Sequence, residues 1–172
     1  MKLEQTNRII IKIGSALLFN ETSGSLNKEW LNSLAEDVKY LRENDKEVII
    51  VSSGAIAMGA KDLDLDMKNM KMDMNQAVSA VGQIHLMGSF KSAFEKNEIK
   101  ISQILLTLDD TEQRRRSINA RRTIDTLLKL GIVPVVNEND TIATSEIRYG
   151  DNDRLASRAV SYTHLRAHET TD

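Results

Sequence analysis

Two polar clusters carry the strongest chemical signal in this sequence. Asn137-Glu-Asn-Asp140 follows the apolar run Ile132-Val-Pro-Val-Val136, and Gly150-Asp-Asn-Asp153 follows ten residues later. A short run with three valines predicts a strand buried on both faces, as in a parallel sheet. In open α/β sheets, ligands bind in the crevice beyond the carboxyl ends of the strands, where acids and carboxamides placed like these converge. Such groups suit an amino group, a metal ion or an ammonium side chain. Asn, Asp and Gly also make turns for local reasons, so binding and turn formation both stay open on these residues alone. Pro134 is the only proline of the chain. Lacking an N–H, it predicts an edge strand, a bulge or a strand start for its segment.

A lysine and a glycine stand at an earlier strand end. Arg8-Ile-Ile-Ile-Lys-Ile13 is a β-branched run that stops at Gly14-Ser15, a strand followed by a turn. Lysine at a strand rim ordinarily reaches solvent. With a glycine two residues on, where a ligand can approach the backbone, Lys12 is read instead as a cationic contact for phosphate. Glu47-Val-Ile-Ile-Val51 is the next buried strand and runs into Ser52-Ser-Gly-Ala-Ile-Ala-Met-Gly59. Small residues between a strand and a helix leave backbone N–H groups and Ser hydroxyls available to an anion, although ordinary strand-to-helix turns share that composition. No Gly-x-x-x-x-Gly-Lys-Ser/Thr pattern occurs, so the turn is not a P-loop.

The elements that must position these groups alternate. After Asn27, a residue suited to capping, Trp30, Leu31, Leu34, Ala35, Val38 and Leu41 recur at helical spacing. Residues 62–75 hold four of the seven methionines among alternating charges. They predict a mobile connector, since methionine is more often adaptable packing than a metal or partner surface. Residues 76–96 predict a long helix whose wide apolar arc suits a core position or a subunit contact. Gly82 and Gly88 within it permit close backbone approach, and His85 is read as a packed or exposed histidine. Ile99-Lys-Ile-Ser-Gln-Ile-Leu-Leu-Thr107 is a third strand. Beyond Asp109 and Asp110, five arginines (114–116, 121 and 122) have acids nearby and no interleaved aromatics. That is the pattern of a solvated helix face, with no nucleic acid bound through this segment. The helix runs through Ile124, Leu127, Leu128 and Leu130 and stops at Gly131, a suitable C-terminal cap. Four strands alternating with helices predict a three-layer α/β/α sandwich with a mostly parallel sheet.

Composition removes several alternatives. The 172 residues suffice for one domain with a sizeable core. A formal charge of −2 gives no global attraction to nucleic acid or acidic membranes. Cysteine is absent, which excludes disulfides, thiolate metal sites and a cysteine nucleophile. No apolar run reaches the roughly 18–20 residues of a membrane span, and no signal-peptide core follows Met1. A cytoplasmic location with no membrane contact is the expectation. His164 and His168 have the spacing of a two-histidine metal site, but neither a third ligand nor an intervening glutamate accompanies them. No metal site is expected. The apolar period is lost over residues 161–172, which are read as a non-native tail joined near Val160.

Several segments together carry a family resemblance. They are Ile10-Ile-Lys-Ile-Gly-Ser15, Val51-Ser-Ser-Gly-Ala-Ile-Ala57, Gln76 to Gln83 with Ala-Val-Gly-Gln at its end, Gln103-Ile-Leu-Leu-Thr107, Asn119-Ala-Arg121, Val133-Pro-Val-Val-Asn-Glu-Asn-Asp140 and Gly150-Asp-Asn-Asp153. In this order, over about residues 8–160, the chain resembles the glutamate 5-kinase branch of the amino acid kinase family. The resemblance implies ATP-dependent phosphorylation of the γ-carboxylate of L-glutamate to γ-glutamyl phosphate, the first step of proline biosynthesis. It implies that Lys12 contacts the transferring phosphoryl group, with Gly14 beside the nucleotide. Ser53, Gly54 and Ala55 match the glutamate-binding turn. Asp140 and Asn152 match substrate-binding positions, Asn137 lies in the same wall, and Asp153 resembles the aspartate that organises the catalytic lysines. ATP and Mg²⁺ are the implied co-reactants, and a homo-oligomer is implied for the intact enzyme. In the family, the nucleotide-binding half follows the Gly-Asp-Asn-Asp region. Residues 1–160 therefore correspond to the substrate-binding part, and the chain by itself is expected to lack kinase activity. The competing readings are another amino acid kinase and a non-catalytic glutamate-sensing module, which would need neither Lys12 nor Asp153.

Overall fold

Four short, largely apolar runs pair into a single parallel sheet in the computed structural model, which describes residues 6–19, 25–68 and 70–142. The strands are β1 (Arg8–Ile13), β2 (Glu47–Ser52), β3 (Ile101–Leu106) and β4 (Val133–Glu138), in the spatial order β1-β2-β4-β3. The β1–β2 register runs from Arg8 opposite Glu47 to Ile13 opposite Ser52. The β3–β4 register runs from Ile101 opposite Val133 to Leu106 opposite Glu138. Parallel pairing sends every carboxyl end to the same rim of the sheet.

Strand alternation divides the core into two halves. Ile13, Val48, Ile50, Val133 and Val135 face one side. There they meet Leu31, Leu34, Ala35 and Val38 of α2 (Lys28–Glu43), Ala55 of α3 (Ala55–Asp62), and Leu86, Phe90, Ala93 and Phe94 of α4 (Met72–Glu95). Ile49, Val51, Leu106 and Val136 face the other side, against Ile124 of α6 (Arg114–Lys129). The handedness of the crossovers explains this split. The path β1 to β2 to β3 crosses the sheet in one direction and β3 to β4 returns, so right-handed connections place the helices on opposite faces. The three-layer expectation holds.

Local signals fix the boundaries. The Asn27 side chain accepts the Trp30 N–H at 3.1 Å and starts α2. Gly131, at φ +72°, follows the last turn of α6. A short helix, α5 (Leu108–Glu112), opens on a capping box between Thr107 and Asp110. Arg8 at the start of β1 bonds both Glu47 of β2 and Asp125 of α6, at 2.7 and 2.9 Å. Burial opposes the charge on Arg8, but these two carboxylates hold its proton above the ordinary arginine range.

Three expectations change. Pro134 lies in a central, fully buried strand and not at an edge or a bulge, and of the three alternatives only the strand start holds, since it is the second residue of β4. The reason is local. The Val133 N–H donates to Lys100 on the β3 side, so the nitrogen of Pro134 faces β2, where the ladder begins only at Ile50–Val135. No ladder bond is lost. The connector is also shorter than predicted, because α4 starts at Met72 and takes in Met74. Finally, a four-residue helix, α1 (Ser15–Leu18), follows Gly14, and a bridge joins Phe19 to Leu26.

Candidate active site

Three strand ends bring the predicted residues to one rim. On β1, Lys12 lies on the same face as Ile10, and its side chain is exposed. Its ammonium reaches forward over Gly14: a Cβ built on Gly14 would stand 3.8 Å from Nζ. Lys12 is thus at the solvent rim and also over a residue whose backbone a ligand can approach.

The turn between β2 and α3 is pinned to the end of β1. The Ser53 N–H and its hydroxyl both donate to the Ile13 carbonyl, each at 3.2 Å. Gly54 follows at φ +103°, and a Cβ there would stand 2.7 Å from the Phe19 ring. Only glycine fits both the conformation and the space. Ala55 then begins α3, whose N-cap supplies no side-chain bond. First-turn N–H groups of a helix have no intrahelical partner, so this turn suits an anion.

The third strand end supplies a buried polar wall. Asn137 is 4% exposed, Glu138 3% and Asp140 8%. The Glu138 N–H donates to Asn137 Oδ1 at 2.8 Å, which fixes the orientation of the amide. Its other end, Nδ2, is buried and has no hydrogen-bond partner among the described residues. Asp140 Oδ2 accepts the Ser79 hydroxyl of α4 at 2.5 Å. Gln103 of β3 donates to Gln83 Oε1 at 2.9 Å, and Gln83 Nε2 makes a long 3.5 Å contact with the Glu138 carbonyl.

Lys12, Gly14, Ser53, Gly54, Ala55, Asn137 and Asp140 therefore share one rim. Asn152 and Asp153 lie outside the described residues, as do 161–172. Ser79, Gln83 and Glu138 also belong to the wall; they lie within segments that carry the family resemblance, but the sequence assigns them no site role. The available signal was two polar residues one turn apart, Ser79 and Gln83, on an otherwise apolar helical arc. His85 is exposed and lies 3.2 Å from Asp62, away from this wall. The arginines of α6 form a solvated face, with Arg116 bonded to Asp110 and Arg121 beside Asp125. A cleft of about 490 Å³ between α2 and α4, lined in part by Lys28, Asn32, Ile84 and Lys96, is a separate feature. Among the described residues, no group of three or more acids and histidines could hold a metal, and no helix is long and apolar enough to cross a membrane.

Comparison with known proteins places this rim in context. Residues 7–163 match the amino acid kinase family. The chain belongs to that family. Within it, the glutamate 5-kinase of Pelagibacter ubique is 60% identical over 158 residues, which are 92% of this chain and 43% of that protein. Glutamate 5-kinase 1 of Mesorhizobium japonicum is 55% identical, over 92% of this chain and 42% of that protein. The glutamate 5-kinase of Agrobacterium fabrum is 53% identical, over 94% and 41%. The chain spans about two fifths of the length of these curated relatives. Among solved structures, the isopentenyl phosphate kinase product complex from T. acidophilum superposes with a TM-score of 0.52. That likeness, at 15% identity over 76% of this chain and 54% of the other, concerns the fold. The resemblance read from the motifs and the α/β fold both stand.

Proposed function

We propose that the protein is a glutamate 5-kinase, transferring the γ-phosphoryl group of ATP to the γ-carboxylate of L-glutamate and releasing γ-glutamyl phosphate and ADP. The supporting observation is one wall that combines a buried acid, Asp140, with the amide donor of Asn137, which has no partner among the described residues. A buried donor without a partner is uncommon and calls for an acceptor. An α-amino acid offers both complements, its ammonium to Asp140 and its carboxylate to a donor. The Ser53–Gly54–Ala55 turn would take anionic oxygens on the opposite side.

The chemistry needs no general base. The glutamate side-chain carboxylate is ionised near neutral pH, so its oxygen attacks the γ-phosphorus while the bond to the departing ADP breaks. What remains is alignment and neutralisation of charge. Lys12 supplies a cation for the phosphoryl oxygens, and Gly14, with no side chain, lets them approach the backbone. These residues fit the phosphate end of ATP. Mg²⁺, when bound with the nucleotide, supplies further neutralisation of phosphate charge. Asn152 is assigned to the substrate and Asp153 to organising the lysines. Residues 1–160 would form the glutamate-binding part and 161–172 a non-native tail. A place in proline biosynthesis, a cytoplasmic location and a homo-oligomeric intact enzyme belong to the same reading.

The test uses the full-length protein with ATP, Mg²⁺ and glutamate. ADP release should depend on glutamate, and hydroxylamine should trap an equal amount of acyl phosphate as the hydroxamate. The 172-residue chain alone should show no turnover. Glutamate binding by the full-length protein without turnover would overturn the proposal in favour of a sensing module. A preference for a different acid would favour another amino acid kinase.

A further inference from the structure

Ser79 lies on the buried arc of α4, is 0% exposed, and donates its hydroxyl to Asp140, 61 residues away. A buried hydroxyl on an apolar arc is unfavourable unless it is bonded, and serines in helices commonly bond back to their own preceding turn. Here the bond reaches the pocket wall instead. Asp140 stands beyond β4, where Asn139 is tied to the Leu106 carbonyl at 2.9 Å but, among the described residues, no neighbouring strand continues the ladder. The same helix touches the opposite wall. A Cβ on Gly82 would stand 1.8 Å from the carbonyl oxygen of Ala55, and Ser79 and Gly82 are one turn apart on one face. Thus α4 contacts both the turn that starts α3 and the acid beyond β4.

We infer that Ser79 is a positioning residue, fixing the orientation in which Asp140 meets the substrate ammonium. The inference rests on the glutamate 5-kinase reading. Hydrogen bonds to charged groups are worth more than neutral ones, and loss of this one should raise the glutamate KM about tenfold or more. The bond acts on substrate binding, so kcat and the KM for ATP should stay within about twofold.

The deciding experiment compares the full-length protein with Ser79→Ala and Ser79→Cys, using glutamate as substrate and glutarate as inhibitor. Glutarate keeps both carboxylates and lacks the ammonium. Ser79→Ala should weaken glutamate while leaving glutarate inhibition unchanged, so the preference for the amino acid narrows. Ser79→Cys, similar in shape but a weaker donor, should fall between. It also decides the matter should the alanine variant fail to fold, since a wild-type glutamate KM in Ser79→Cys counts against the inference. Equal loss for glutamate and glutarate would show a packing role and overturn it. Wild-type turnover with an unchanged Ser79→Ala KM overturns the inference alone. A wild-type protein inert toward glutamate overturns the parent reading, and the inference with it.

Discussion

Gly82 of α4 is in direct backbone contact with Ala55 of α3: a Cβ on Gly82 would stand 1.8 Å from the Ala55 carbonyl oxygen. Gly59 makes the reciprocal approach, with its notional Cβ 1.9 Å from the Val78 carbonyl. The two helices are therefore packed at a separation that only glycine allows, beside the turn assigned to glutamate.

Gly82→Ala must force the helices apart. Overpacking of this kind typically destabilises by about 1–3 kcal/mol, read as a lower urea midpoint at unchanged m-value. Gly88 is the internal control, because a Cβ there meets nothing within 4 Å. Gly88→Ala should stabilise by about 0.5–1 kcal/mol through helix propensity. Equal effects at the two positions would contradict the packing described.

Lys12→Ala in the full-length protein should lower kcat far more than it changes the glutamate KM. Removing one preorganised contact to developing charge commonly costs about 10²–10³ in kcat. Steady-state kinetics decide the matter, and a raised KM at constant kcat would limit Lys12 to binding.

Asn137→Asp keeps an acceptor for the Glu138 N–H and replaces with an oxygen the Nδ2 donor that has no partner among the described residues. If that donor serves a substrate carboxylate, glutamate affinity should fall by about tenfold or more. Calorimetric titration of glutamate into the full-length protein measures it, and undiminished affinity would remove Asn137 from the site.

Asp110 gives a pH-dependent prediction. Burial alone would raise its pKa, but bonds from the Thr107 N–H and hydroxyl, together with Arg116, hold it below the ordinary value of 3.8. A carboxyl depressed on folding stabilises the protein above its unfolded pKa, and that stability is lost as pH falls through the folded value. The gap in stability between the wild type and Asp110→Asn should therefore be widest near neutrality and shrink below about pH 4. Denaturant titrations at two pH values test it, and a gap that widens on acidification would contradict the assigned bonding.

β1 and β2 are legible in the sequence as β-branched runs that end in small residues, and β3 as a short apolar run that ends at the capping residue Thr107. The start of α2 is legible because Asn27 caps it in the expected way. Pro134 misleads only in its edge and bulge alternatives, which assume that a ladder bond would be lost; it stands second in β4, and the ladder to β2 starts one residue later. The early start of α4 is hidden because Met72–Asn75 keep helix propensity while charge breaks the apolar period. At the rim, Lys12 shows up because it interrupts the apolar run at the end of β1, and Ser53 and Asp140 because they follow strand ends. Ser79 and Gln83 do not, since only tertiary packing brings a helix interior position against residues some 55–61 further along.

The strand order has a consequence for synthesis. β4 is the last described strand to leave the ribosome, yet it sits between β2 and β3. Until Glu138 has emerged, β3 has no described strand beside it, and β2 is paired on one edge only. Non-local pairing of this kind delays sheet closure and leaves apolar edges open on the nascent chain. Its Val-Pro-Val-Val run joins the described strands into one sheet in the same event that carries Asn137 and Asp140 into place. Among the described residues, the wall proposed to bind glutamate is thus assembled last, by the segment that bridges β2 and β3.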